Sequence, residues 1–90
     1  MTARRLSHLQ KQILAWLWRD EQRTRGMIAS SHPELVGALP AAKGDISHSL
    51  RLLERRGWVV IGRIPGGKAE SLYLRREGRQ QALKLAGSYE

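Results

Sequence analysis

The run Lys43-Gly44-Asp45-Ile46-Ser47-His48-Ser49-Leu50-Arg51-Leu52-Leu53-Glu54-Arg55-Arg56-Gly57-Trp58-Val59 decides how this 90-residue chain folds. Ile46, Leu50 and Leu53 recur at i, i+4 and i+7, the spacing of one buried helical stripe. Gly57 is a natural stop. The spacing predicts a helix from about Lys43 to Arg56. At about 100° per residue, Gly44, His48, Arg51 and Arg55 point most directly away from the stripe. Ser47 flanks that face, and Lys43 stands at the helix start. A helix of this kind buries its apolar side and leaves the other free.

Working outward, Trp58 to Ile64 is rich in β-branched residues and reads as a strand. Pro65-Gly66-Gly67-Lys68 is a turn signal. Ala69 to Leu74 is the return strand, with Leu72 and Leu74 on one face and Tyr73 on the other. Trp58 is expected in the core, packing this hairpin onto the helix. Arg76 to about Ala86 forms a final short helix with Ala82, Leu83 and Ala86 as its apolar side. Upstream, Pro33 to Leu39 is a helix preceded by Ser31 or His32, with Leu35, Val36 and Leu39 facing inward and Pro40 stopping it. Residues 7 to 25 form the first helix, capped by Ser7. Its main stripe is Leu6, Leu9, Ile13, Trp16, Leu17 and Asp20, and Leu14 and Trp18 make a second stripe beside it. Gly26 suits a left-handed terminus. Met27 to Ala29 is expected as a very short strand, and Ser30 to His32 as a loop.

Two helices joined by a tight turn and followed by a hairpin make the layout of a winged helix-turn-helix. The expected class is α+β, mainly helical: a three-helix core, a β-hairpin wing and a short C-terminal helix, in one domain over residues 1–90. Sixteen Lys and Arg against eight Asp and Glu give a net charge of +8, which attracts polyanions. The absence of cysteine excludes disulfides and thiol chemistry. No run approaches the roughly 18 apolar residues of a membrane span. The start Met1-Thr-Ala-Arg-Arg leads into an amphipathic stretch rather than a signal peptide. A cytoplasmic protein is expected, nucleoid-associated if bacterial. His8, His32 and His48 fall on different elements without carboxylates at metal-ligand spacing. No metal, cofactor or catalytic activity is expected.

The layout assigns roles to individual residues. The free face of the third helix fits a major groove about 12 Å wide. Ser47, His48 and Arg51 are the candidates for base edges, Arg51 as a bidentate partner of guanine. Gly44 allows helix backbone to approach a phosphate. Lys43 and Arg55 are candidate phosphate anchors. Arg63 and Lys68 bracket the hairpin tip and are expected on phosphate or in the minor groove. Arg56 is expected at the last helix carbonyls, and Arg75, Arg76 and Arg79 against Glu70 and Glu77. A homodimer would use Leu14 and Trp18 with Leu83 and Ala86.

The segment from Ser47 to Val59 resembles the recognition helix of MarR-type and PadR-type regulators. Glu34-Leu35 stands nineteen residues before Leu53 of Leu53-Glu54-Arg55-Arg56-Gly57, as in those proteins. Leu74-Arg75-Arg76-Glu77-Gly78-Arg79 is similar to the motif that opens their next helix, with Arg75 where Thr is usual. The hairpin tip departs from theirs by lacking an Asp-x-Arg, and Ala42 stands where Ser or Thr usually caps the recognition helix. The resemblance implies a sequence-specific double-stranded DNA-binding transcription regulator. Two other readings stay open: a plasmid or phage accessory protein for partition, replication or excision, and a winged helix used as a protein-interaction module. RNA fits less well, because no exposed aromatic platform for stacking bases is evident.

Overall fold

The first helix, α1 (His8–Thr24), begins at a reciprocal capping box. The Ser7 Oγ accepts the Gln10 amide at 3.0 Å, and the Gln10 Oε1 accepts the Ser7 amide at 2.9 Å. The computed structural model that shows this describes residues 6–66 and 69–89, without the side chains at 69 and 86–89. Helix α1 ends in a left-handed turn that starts one residue before Gly26, at Arg25 (φ 55°), and continues through Gly26 (φ 72°). The Gly26 amide closes it on the Glu21 carbonyl at 2.9 Å.

The short strand β1 lies at Ser30–Ser31, not at Met27–Ala29. Met27 and Ile28 are instead strongly exposed. What makes Ser30 a strand residue is long-range. It pairs with Leu72 of the hairpin, and its hydroxyl donates to Asp20 Oδ2 at 2.8 Å. Helix α2 (His32–Ala38) therefore starts one residue before Pro33. Ser31 is its cap, accepting the Glu34 amide, and Leu39 leaves the helix with an extended backbone ahead of Pro40. Helix α3 (Lys43–Arg55) stops one residue short of the expected end. There Gly57 turns left-handed (φ 81°), and the Trp58 amide bonds the Leu53 carbonyl at 3.1 Å.

Strands β2 (Val59–Arg63) and β3 (Ala69–Leu74) form the hairpin, and β3 is the centre of an antiparallel sheet ordered β1-β3-β2. Helix α4 (Arg76–Tyr89) runs three residues beyond Ala86 and packs along α1. The fold is that of a winged helix, with α2 and α3 as the helix-turn-helix and the hairpin as the wing.

The core is built on the α3 stripe. Ile46, Leu50 and Leu53 meet Ile13, Leu14 and Leu17 of α1, Leu35 of α2, Val59, Ile61, Leu72 and Leu74 of the sheet, and Ala82 of α4. Several expectations need correction. Leu14 is fully buried, so it belongs to this core and offers no face to a partner. Trp18 is half-buried against the same core. On α4, Leu83 is 57% exposed and Leu85 packs inward instead. The Ala86 side chain lies outside the described ones. Trp58 is half-buried rather than central, and the Arg56 guanidinium lies 4.9 Å from its ring centroid.

Helix α4 is seated by backbone contact. The Arg75 amide donates to the Trp58 carbonyl at 2.8 Å. Gly78, one turn on, lies so close that a Cβ there would overlap the Trp58 carbonyl oxygen. Gly37, on α2, faces open space. Gly78→Ala is therefore expected to destabilise the fold by roughly 1–3 kcal/mol through overpacking against rigid backbone. Gly37→Ala should stabilise it by about 0.4–1 kcal/mol through the unfolded chain. Urea unfolding of both variants checks the pair, and equal effects of one sign would contradict this account of Gly78.

His32, the first residue of α2, is buried. Burial holds its imidazole below the ordinary histidine range, and the charge of Lys43 adds to this. The unfolded chain takes up that proton near the ordinary pKa of about 6.5, before the folded chain does. Stability is thus unaffected by this group above that pH and falls as pH drops through the window below it. Thermal melts from pH 7.5 to 5 should show this loss, and His32→Gln should flatten it. A wild-type slope that the variant reproduces would remove His32 as its source.

Candidate nucleic-acid interface

Burial of the α3 stripe fixes what the rest of that helix presents. Lys43, Gly44, His48, Arg51 and Arg55 are exposed, and Ser47 is half-buried at their edge. Gly44, His48, Arg51 and Arg55 follow one another at the spacing of a single helix face. The face therefore gathers six of the eight residues singled out in the sequence onto one element. No side chain caps α3, because Ala42 has none that can accept a hydrogen bond. Its first-turn amides and the positive end of its dipole are left for solvent or an anion.

The face is not purely basic. Asp45 is exposed in the first turn of α3, about 100° around from Gly44. A carboxylate there repels phosphate, but it can accept a hydrogen bond from a cytosine amine. Leu52 is half-buried on the same flank.

The wing departs from expectation. Arg63 does not hang free at the hairpin tip. It turns back onto α3 and grips Glu54, with Nη1 donating to Oε2 at 2.9 Å and Nη2 donating to Oε1 at 3.0 Å. The Arg63 bond holds the Glu54 carboxyl below the ordinary carboxylate range, and the Ile61 backbone amide adds to it. The sequence carried a signal for this. Side chains alternate along a strand, and Val59 and Ile61 are buried, so Arg63 has the parity that points toward the helices. Lys68 lies outside the described residues. Exposed side chains at the described part of the tip are Ile64 and Pro65, and Gly66 turns there with φ 99°.

Two further ion pairs lie away from this face. Arg79 reaches Glu21 on α1 at 2.6 Å, not Glu70 or Glu77. Arg23 pairs with the buried Asp20 at 2.8 Å. Among the described residues, no group of three His, Asp or Glu side chains could hold a metal ion, and no helix is long and apolar enough to cross a membrane.

No protein-family model matches the chain, and no curated protein matches it in sequence. Solved structures match its fold. MepR, a transcription regulator of the Staphylococcus aureus multidrug efflux pump MepA, aligns over 93% of this chain and 58% of its own, at 17% identity and a TM-score of 0.73. The adhesin competence repressor AdcR of Streptococcus pyogenes aligns over 94% and 58%, at 13% identity and a TM-score of 0.72. A MepR mutant bound to an oligodeoxyribonucleotide aligns over 92% and 57%, at 15% identity and a TM-score of 0.74. The chain thus spans a little over half the length of the proteins it resembles, and at these identities the likeness is one of fold.

Proposed function

We propose that this chain binds double-stranded DNA as a non-enzymatic transcription regulator of the cytoplasm, with α3 in the major groove and the wing beside the phosphate backbone. The observation that carries this reading is the exposed α3 face. Lys43, Gly44, His48, Arg51 and Arg55 stand together opposite a dry stripe, so they meet any surface that α3 docks on. A protein-interaction module would instead present an apolar face there. The fold shared with a regulator bound to an oligodeoxyribonucleotide supports the same reading.

In this proposal Arg51 takes guanine O6 and N7, Ser47 and His48 read neighbouring base edges, and Lys43 and Arg55 hold phosphates. Phosphate meets the uncapped amides at Gly44, where no side chain keeps the backbone away. Asp45 joins the base-reading set through a cytosine amine. A homodimer would present two such helices to a partly palindromic site about one DNA turn apart. With Leu14 withdrawn into the core, its face would be built from Trp18 and the exposed Leu83.

The test is titration of the protein against its own upstream duplex and a scrambled duplex at several salt concentrations. The two phosphate-holding cations, Lys43 and Arg55, on each of two protomers predict a log–log salt slope of roughly −3.6, and a monomer about half that. Arg51→Ala should cost roughly 1–3 kcal/mol on the preferred duplex and relax the choice of base at one position. Arg55→Ala should weaken both duplexes alike and make the slope shallower by about 0.9 per protomer. Equal binding of the two duplexes by wild-type protein would favour an accessory DNA binder over a regulator. No binding to either at low salt would overturn the proposal and promote the protein-interaction module.

A further inference from the structure

Arg63 carries charge to the end of β2, beside the hairpin tip, where a phosphate contact is the obvious assignment. Its geometry speaks for another role. Both of its terminal nitrogens that reach Glu54 are committed in a two-point grip, the strongest form of arginine–carboxylate contact. The partner is well placed to hold it. Glu54 lies in the last turn of α3, and both of its carboxylate oxygens accept from Arg63. One carboxylate thus joins the recognition helix to the last residue of the wing's outer strand.

The strand is shaped for this contact. The pairing of β2 with β3 is regular from Val59↔Leu74 to Gly62↔Ser71, then shifts so that Arg63 opposes Ala69. The irregularity leaves Glu70 as the extra residue and bends the ladder at Arg63. Gly62, just before it, sits against Ser71, where an added Cβ would stand 3.3 Å from the Ser71 Cβ. A bulge, a close approach at glycine and a bidentate ion pair therefore coincide at the tip end of β2.

We infer that Glu54 and Arg63 are positioning residues that set the wing's angle to α3, and that Arg63 is not a phosphate ligand. The inference rests on the DNA-binding reading for its consequence, since the angle decides whether wing and helix meet one duplex together. It does not rest on that reading for the clamp itself. The pair is partly solvent-exposed, with side-chain exposures of 39% and 34%. It adds little to global stability, so loss of the clamp leaves a folded protein in which the wing alone has changed.

The experiment compares wild type with Arg63→Ala, Glu54→Ala, the double alanine variant and the charge swap Glu54→Arg/Arg63→Glu, by duplex titration across salt. Coupled residues lose their joint effect once. Each single variant and the double variant should weaken binding by a similar factor of about ten. The charge swap should restore most of it, and all should keep the wild-type salt slope. If Arg63 instead contacts phosphate, Glu54→Ala tightens binding by releasing it, and Arg63→Ala makes the slope shallower by about 0.9 per protomer. Either result overturns the inference. The second arm uses no DNA. Backbone relaxation by NMR should show the amides of Gly62, Arg63, Glu70 and Ser71 becoming more mobile in both single variants and recovering in the charge swap. Unchanged wing amides overturn the clamp whatever the titrations give. If wild-type protein binds no duplex while the amides respond as expected, the DNA-binding reading falls and the clamp stands.

Discussion

The dry contact of Ile46, Leu50 and Leu53 with the rest of the core is what the other features of this molecule depend on. Each side chain is at most 1% exposed. Burying a residue of this size contributes roughly 1.5–3 kcal/mol, a large share of the stability of so small a domain. The contact also fixes rotation. Turning α3 by one residue's 100° would carry all three side chains off the core face and bring Ser47, Arg51 and Glu54, or Asp45, Ser49 and Leu52, into their places. The direction in which Gly44, His48, Arg51 and Arg55 point is therefore not a local property of those residues. It is set from behind, by Ile13, Leu14 and Leu17 of α1, by Leu35 and by the inner face of the sheet.

Around this apolar centre, a few polar contacts decide where elements begin and how they lean. Asp20 is the main one on the α1 side. It is buried, and a buried carboxylate is costly unless its oxygens are met. Arg23 donates to one oxygen through two nitrogens, and the Ser30 hydroxyl donates to the other. The network pins the end of α1 to β1, and β1 in turn completes the sheet beside β3. Gly78 does the corresponding work for α4 by letting it touch the Trp58 backbone. Both contacts bring together residues far apart in sequence and local propensity supplies neither.

That difference explains how much could be read from the chain. The caps at Ser7 and Gly57, the i, i+4, i+7 stripe of α3 and the alternation of Leu72, Tyr73 and Leu74 are local signals, and the elements they mark lie where those signals put them. Strand β1 was not legible, because two serines have no period and exist as a strand only through Leu72 and Asp20. Leu14 and Trp18 looked like a spare stripe because the pattern of α1 was read against one neighbour. In the fold α1 is covered by α3 on one side and α4 on another, so Leu14 goes inside. Leu83 lies outside because Gly78 sits on the Trp58 backbone and Ala82 in the core, which turns Leu85, one helical turn beyond Ala82, inward instead. Of the candidate site, the α3 face was legible as a consequence of its buried stripe. The grip of Arg63 on Glu54 is legible only in part: parity along β2 turns Arg63 toward the helices, but tertiary packing alone brings Glu54 within reach.

The ion pairs also give the net charge of +8 a meaning that the count of residues lacks. A cation already neutralised by a carboxylate neutralises no phosphate, so it displaces few of the counterions condensed on a duplex and adds little to the salt dependence of binding. Asp20, Glu21 and Glu54 take Arg23, Arg79 and Arg63 in this way. Among the described residues, no carboxylate forms an ion pair with Lys43, Arg51 or Arg55. The acidic residues thus sort the basic ones. Arg79 and Arg63 are spent on joining elements and Arg23 on meeting the buried Asp20, and those on the outer face of α3 are the ones the proposed function assigns to a duplex. In the proposed complex the salt dependence of binding counts the cations of the α3 face that hold phosphates, not the cations the sequence contains.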